Sequence, residues 1–322
     1  MNDILINYAV FLLKTITIIV AIFLILGKIF SLKQEDKSTG KIKLKKLNEE
    51  YTQTKNELSK DILSKVDYKK LLKSEKKQQK KLKKSLPKLF LLEFKGDIRA
   101  SAAAELRDEI TAILSLASTK DKVVIQLESP GGCVHDYGFA ASQLSRIREK
   151  NITLVVAVDK VAASGGYMMA SVASEIIAAP FAVIGSIGVY MALPNFHKFL
   201  KDKKIEFEDL TAGPDKRNLT TFSPNTKDDR EKAQEQIDNI HRLFIDFVKK
   251  YRPNIDPEKV ATGKTWHALD AINLNLIDKI ITSDDYITSA MSKYEVLRIN
   301  KKKSKKILEK LTQNTLAYFG IY

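Results

Sequence analysis

Ile4 to Leu26 is a run of 23 residues carrying a single formal charge, Lys14. As a helix it would rise about 34 Å, against about 30 Å of hydrocarbon in a bilayer. Lys14 costs roughly 2.5–3.5 kcal/mol near the centre of such a span, less when the stem snorkels. Asp3 stands where a signal peptide needs positive charge, and no small-x-small cleavage site follows. The pattern therefore predicts an uncleaved transmembrane anchor over 1–28.

Residues 29–88 break the apolar pattern. They are rich in Lys, Glu, Gln and Leu and hold no glycine between Lys41 and Pro87. The composition predicts a long charged helix or a partly disordered spacer. From Leu89 short apolar runs alternate with helical periodicity. Runs at 89–94, 123–127, 152–158, 175–179 and 182–189 read as strands. Residues 101–118, 136–148, 166–173 and 226–251 read as helices, the last ending before Pro253. Buried strands alternating with helices of this length indicate an α/β domain over 89–299. A tail over 300–322 opens on Lys301, Lys302 and Lys303 and ends apolar.

Charge sharpens these boundaries. The 322 residues carry a formal net charge of +15. Residues 28–88 hold 20 lysines against 8 acids, and 298–322 hold 7 basic residues against one acid. The stretch 89–297 carries 26 basic and 29 acidic residues. A nucleic-acid binder needs a basic face on its folded part, so no nucleic-acid partner is expected. Lysine-rich flanks beside an anchor instead suit anionic lipid head groups, at ~1 kcal/mol per well-placed Lys. By the positive-inside rule they place the chain after the span in the cytoplasm. One cysteine, Cys133, excludes a disulfide framework and a Cys-based zinc cage. His135, His197, His241 and His267 lack metal-ligand spacing, so no metal is expected.

Candidate chemistry gathers where glycine does. Seven of the 13 glycines lie between 131 and 188. Six of them form the turns Ser129-Pro130-Gly131-Gly132, Ala163-Ser164-Gly165-Gly166 and Gly185-Ser186-Ile187-Gly188. Two of these turns lead into helices, whose first N–H groups are unpaired and can stabilise an oxyanion. A serine at such a turn resembles a nucleophile on a strand–helix elbow, and it needs a base. Only His135 among the histidines follows a glycine turn. A lysine can also serve, provided burial disfavours its charged form. Lys216, in Thr211-Ala212-Gly213-Pro214-Asp215-Lys216-Arg217 after a β-rich run, lies outside the solvated lysine runs, but spacing alone does not select it. Gly263-Lys264-Thr265 resembles the end of a phosphate-binding loop, yet Glu258 stands where its first glycine belongs.

These motifs, in this order, resemble the SppA/SohB family of membrane-bound serine endopeptidases, the signal peptide peptidase A type. The carrying segments are Leu127–Gly132, Asp159–Ala170, Ala179–Val189, Pro194-Asn195-Phe196, Thr211-Ala212-Gly213 with Lys216-Arg217, and Ala261-Thr262-Gly263. The resemblance spans essentially the whole chain. It implies a Clp-protease/crotonase-type spiral of ββα units behind an amino-terminal transmembrane helix and charged spacer. It implies a Ser–Lys dyad with Ser164 as nucleophile and Lys216 as general base, and Ser186 orienting the lysine. Backbone N–H groups of Gly131, Gly132 and Gly165 would form the oxyanion hole. Pro214 departs from many relatives, which carry a lysine or polar residue there. No cofactor is expected. The substrates implied are polypeptides, apolar segments such as signal-peptide remnants or membrane and misfolded proteins. Relatives form rings or domes in which neighbouring repeats or protomers share a site, so a homo-oligomer in the bacterial inner membrane is expected. Better-known relatives work on the outer face, against the charge rule. Two other readings remain open: an acyl-thioester enzyme of the crotonase type, and a catalytically silent membrane scaffold.

Overall fold

The computed structural model describes residues 10–20, 42–82, 86–213 and 215–301. The chain divides into two units, 1–43 with 301–322, and Leu44–Asn300. In the first, residues 10–20 are helical. Most of the expected anchor lies outside the described residues, as does the tail from 302. Among the described residues no helix is long and apolar enough to cross a membrane.

The second unit is a mixed α/β fold. Its strands are β1 (Ile42–Lys46, which begins just before it), β2 (Lys88–Lys95), β3 (Lys122–Glu128), β4 (Thr153–Val158), β5 (Val161–Ala163), β6 (Glu175–Ala178), β7 (Val183–Gly185), β8 (Thr265–His267), β9 (Lys279–Ile280) and β10 (Glu295–Lys301). Seven form one sheet in the order β1-β10-β2-β3-β4-β6-β9, and β10 through β9 run parallel. β5, β7 and β8 form a second sheet, with β5 and β7 parallel.

A parallel sheet must be covered on both faces, and its strands are correspondingly apolar throughout. β2 shows this: Phe90, Leu92 and Phe94 join one core, Leu89 and Leu91 the other. The larger core is covered by α3 (Ala103–Leu114), α4 (Val134–Glu149) and α5 (Gly165–Ser171), with Phe244 and Val248 of α7 (Lys227–Tyr251). α4 buries Tyr137, Ala140, Ala141, Leu144 and Ile147, the three-and-four spacing of one helix face. The smaller core includes Leu47 and Ile287, from α1 (Leu47–Ile62) and α8 (Ser283–Ala290).

The charged stretch before residue 88 is neither one long helix nor wholly outside the fold. It supplies β1, then α1 and α2 (Lys65–Leu82), interrupted at Leu63-Ser64. Asn48 explains the attachment. Its amide donates to the carbonyls of Met291 and Tyr294 (both 3.1 Å), and its carbonyl accepts from the Val296 N–H (2.7 Å). The compact unit therefore begins near residue 44 rather than 89. The strand expected over 182–189 stops at Gly185, where positive φ at Gly185 (104°) and Ser186 (53°) turns the chain away. From there to Thr226 the described chain holds one short helix, α6 (His197–Asp202), and no strand.

Candidate active site

Parallel α/β sheets place their chemistry at the carboxyl ends of strands, and three ends converge here. Ser129 follows β3 and bridges to Ala162 of β5: its N–H donates to Val161 O (2.8 Å), and its carbonyl accepts from Ala163 N–H (3.0 Å). Ala163 of β5 pairs with Gly185 of β7, so Ser164 and Ser186 leave neighbouring strands in register. The Ser164 N–H donates to Gly185 O (2.8 Å). Both serines have positive φ, 52° at Ser164 and 53° at Ser186. Such a conformation costs a non-glycine residue ~1–3 kcal/mol and persists only when its surroundings enforce it. Ser164 is also the N-cap of α5, and its side chain makes no cap hydrogen bond. Its hydroxyl is thus held at a strand–helix elbow and left free for chemistry.

The turn beside it is glycine for steric reasons. At Gly131 (φ 93°) a Cβ would come within 2.6 Å of Ser164 Cβ and 2.8 Å of the Gly165 nitrogen. At Gly132 it would strike the Ile98 carbonyl. The three expected oxyanion donors are not equivalent. The Gly131 N–H donates to Ser129 Oγ (3.1 Å). Among the described residues, the N–H groups of Gly132 and Gly165 have no acceptor, and both residues line the cleft that Ser164 enters.

Behind the turn runs a buried polar chain. Ser129 Oγ and Tyr137 Oη are 2.5 Å apart, and Tyr137 Oη donates to Asp97 O (2.8 Å). Both side chains are fully buried. Burial raises the Tyr137 phenol above its ordinary value, which keeps it a donor.

The cleft has a volume of about 780 Å³. It is lined by Ser164, Ser186, Gly132 and Gly165, by Ile98 and Met168, and on one side by α7. Gln234, Ile237, Asp238, His241 and Phe244 recur along α7 at helical spacing and form that wall. Sequence reasoning missed this wall, although its i, i+3, i+4, i+7 pattern was present. The histidine of the cleft is accordingly His241. His135, the one next to a glycine turn in sequence, is exposed and lies 3.6 Å from Asp136.

Lys216 is exposed and is absent from the cleft lining. The apolar run preceding it forms no strand, and Ile205, Phe207 and Leu210 are exposed. Its loop is tied to α7 instead: Arg217 donates to Pro224 O (2.6 Å) and lies 3.8 Å from Asp229. Within one chain the structure therefore joins Ser164, Ser186, Gly131, Gly132 and Gly165, but does not bring Lys216 to them.

A serine held on a strained elbow beside two backbone N–H groups without acceptors among the described residues is an arrangement suited to a serine hydrolase. The chain belongs to peptidase family S49. The model described as "Peptidase family S49 N-terminal" matches residues 3–144, and that described as "Peptidase family S49" matches residues 146–297. A Haemophilus influenzae protein named "Probable protease SohB" is 44% identical, covering 96% of this chain and 92% of its own. A Buchnera aphidicola protein of the same name is 46% identical, covering 96% of this chain and 94% of its own. A solved structure of a membrane-bound stomatin-specific protease with a substrate peptide matches at 15% identity and a TM-score of 0.45. It covers 71% of this chain and 99% of that one. The chain is a serine peptidase.

Proposed function

We propose that this peptidase is a membrane-anchored Ser–Lys endopeptidase that cuts within apolar segments and builds each complete site from two copies of the chain. The observation that carries the proposal is the elbow: Ser164 at φ 52°, uncapped, in a cleft with the unpaired N–H groups of Gly132 and Gly165. We infer the Clp-protease/crotonase-type spiral, with the β5-β7-β8 sheet carrying the nucleophile.

In this mechanism the neutral amine of Lys216, supplied by a neighbouring copy, takes the Ser164 proton, and Oγ attacks the scissile carbonyl. Ser186 orients the amine. The oxygen of the tetrahedral intermediate accepts from Gly132 and Gly165, each donor contributing about 2.7–4 kcal/mol. The lysine ammonium then protonates the leaving amine, and water repeats the sequence on the acyl-enzyme. Gly131 shapes the turn rather than donating, since its N–H already serves Ser129.

The second copy is supported by the exposed arm between Gly185 and Thr226. Tyr190 (90% exposed), Leu210 (94%), Phe196, Phe199, Ile205 and Phe207 lie on it with Lys216. An exposed apolar surface of this kind marks an interaction site. Burial there removes water from the lysine, as a lysine base requires. Apolar substrates fit a cleft walled by Ile98, Met168, Ile237 and Phe244. Inner-membrane anchorage rests on the apolar run Ile4–Leu26 and the lysine-rich stretch after it.

Full-length protein in detergent provides the test. Wild type should cleave an apolar fluorogenic peptide and be labelled once by a fluorophosphonate, and Ser164→Ala and Lys216→Met should each lose both. Labelling that survives Ser164→Ala would sink the assignment, and turnover of acyl thioesters without peptide cleavage would move it to the crotonase class.

A further inference from the structure

The buried chain behind the oxyanion turn has only one consistent direction. Asp97 O is a carbonyl and can only accept, so the Tyr137 hydroxyl must donate to it (2.8 Å). Having spent its proton, Tyr137 Oη accepts from the Ser129 hydroxyl (2.5 Å). Ser129 Oγ in turn accepts the Gly131 N–H (3.1 Å). Every polar group is satisfied and each bond polarises the next. The effect is to hold the Gly131 N–H inward, away from the cleft.

Tyr137 also touches the other half of the site. A Cβ on Gly165 would strike the Tyr137 ring, and one on Gly96 would strike its hydroxyl. A Cβ on Gly166 would lie 2.6 Å from Ser129 O. Three glycines thus admit one tyrosine and one serine against the backbone on both sides of the nucleophile. Tyr137 stands on the first turn of α4, a helix anchored in the main core by Ala140, Ala141, Leu144 and Ile147.

We propose that Tyr137, acting through Ser129, is a positioning residue for catalysis: it fixes the spacing between the two oxyanion donors, Gly132 N–H by pinning the adjoining Gly131 through the hydrogen-bonded chain and Gly165 N–H through ring contact. Oxyanion donors stabilise the transition state only when pre-aimed at the developing charge. Loosening the turn must therefore cost kcat while leaving the ground-state complex alone. The inference rests on the reading of Ser164 as nucleophile and of Gly132 and Gly165 as donors.

Tyr137→Phe keeps the ring and removes the hydroxyl. Ser129→Ala removes the Gly131 acceptor by a smaller change, and it carries the test should Tyr137→Phe fail to fold. Full-length variants in detergent are assayed with the fluorogenic peptide and with two inhibitors of identical sequence. The peptide aldehyde forms a tetrahedral oxyanion on serine; the peptide alcohol does not. The expected result is a fall in kcat of about tenfold to a hundredfold with KM within twofold. Aldehyde affinity should weaken by the same factor, with alcohol affinity unchanged. A merely structural defect would instead lower the active fraction and leave the aldehyde-to-alcohol ratio of the remainder intact. That outcome, or kcat within twofold of wild type in Ser129→Ala while Ser164→Ala is dead, overturns the inference and leaves the Ser164 reading standing. Turnover that persists in Ser164→Ala overturns the reading and the inference together.

Discussion

Gly131 is constrained both by its backbone conformation and by its neighbours. Its φ of 93° is one that side chains rarely adopt, and a methyl group there would lie 2.6 Å from Ser164 Cβ. Gly131→Ala should therefore shift the turn and the nucleophile together. The expected loss in kcat is at least about a hundredfold, the scale of one lost oxyanion donor, with a stability loss of ~1–3 kcal/mol from the forced backbone. Gly138, one helical position beyond Tyr137, is the control. A Cβ there meets nothing within 4 Å. Gly138→Ala should leave kcat unchanged and raise stability by ~0.5–1 kcal/mol, read from urea unfolding beside the activity assay. At this scale much was legible in the sequence, because clustered glycines around Ser129, Ser164 and Ser186 betray backbone that must come close. The division of labour was not legible. That Gly131 donates inward while Gly132 does not depends on Tyr137, eight residues past Ser129, reaching back across the turn.

α7 is the element that links the cleft to the lysine-bearing loop, and its amino terminus is held by a capping box. The Thr226 hydroxyl accepts from the Asp229 N–H (3.2 Å). The Asp229 carboxylate accepts from the Thr226 N–H (2.8 Å) and hydroxyl (2.7 Å). The backbone hydrogen bond, followed by that to the hydroxyl, lowers the Asp229 carboxyl below its ordinary value. The folded state thus binds the proton less tightly than the unfolded chain. The stabilisation is full above the ordinary carboxylate range and is lost as pH falls through the lowered folded value. Melting temperatures measured from pH 7 down to pH 3 should show this loss in wild type and a flatter profile in Asp229→Asn, which cannot ionise. Equal pH profiles for the two would remove Asp229 from the account. The helix itself was readable, since its apolar period and the stop before Pro253 are local signals. β1 was not. Ile-Lys-Leu-Lys-Lys reads as solvated spacer, and all five residues are indeed exposed. Its place in the sheet order depends on β10, more than 200 residues away, and the adjoining Asn48 has its partners there too. Long-range pairing leaves no trace in a local window.

At the scale of the whole molecule, the unmet requirement is a base. Ser164 opens into the cleft, whereas the arm lines it only at its start, through Ser186 and Gly188 to Met191, and carries Lys216 exposed beyond that lining. Spacing alone did not select Lys216, because a lysine base is defined by what buries it, and within one copy Lys216 is exposed. Should each site draw Ser164 from one copy and Lys216 from the next in a closed ring, two dead variants can rescue each other. On that reading Ser164→Ala and Lys216→Met chains should each be inactive when assembled separately. Mixed one to one and allowed to exchange, a site works when a copy with an intact serine is followed by one with an intact lysine. Random assembly gives this at about a quarter of sites, so about a quarter of wild-type turnover should return, and fluorophosphonate should label only the Lys216→Met chains. Changing Phe199 and Leu210 to Glu in both variants, which charges two exposed apolar side chains of the arm that lie outside the cleft lining, should abolish the rescue and shift the particle towards monomers in sedimentation. Recovery of no activity from fully exchanged mixtures would mean that serine and lysine act within one copy, and that the arm must fold back onto its own cleft before catalysis.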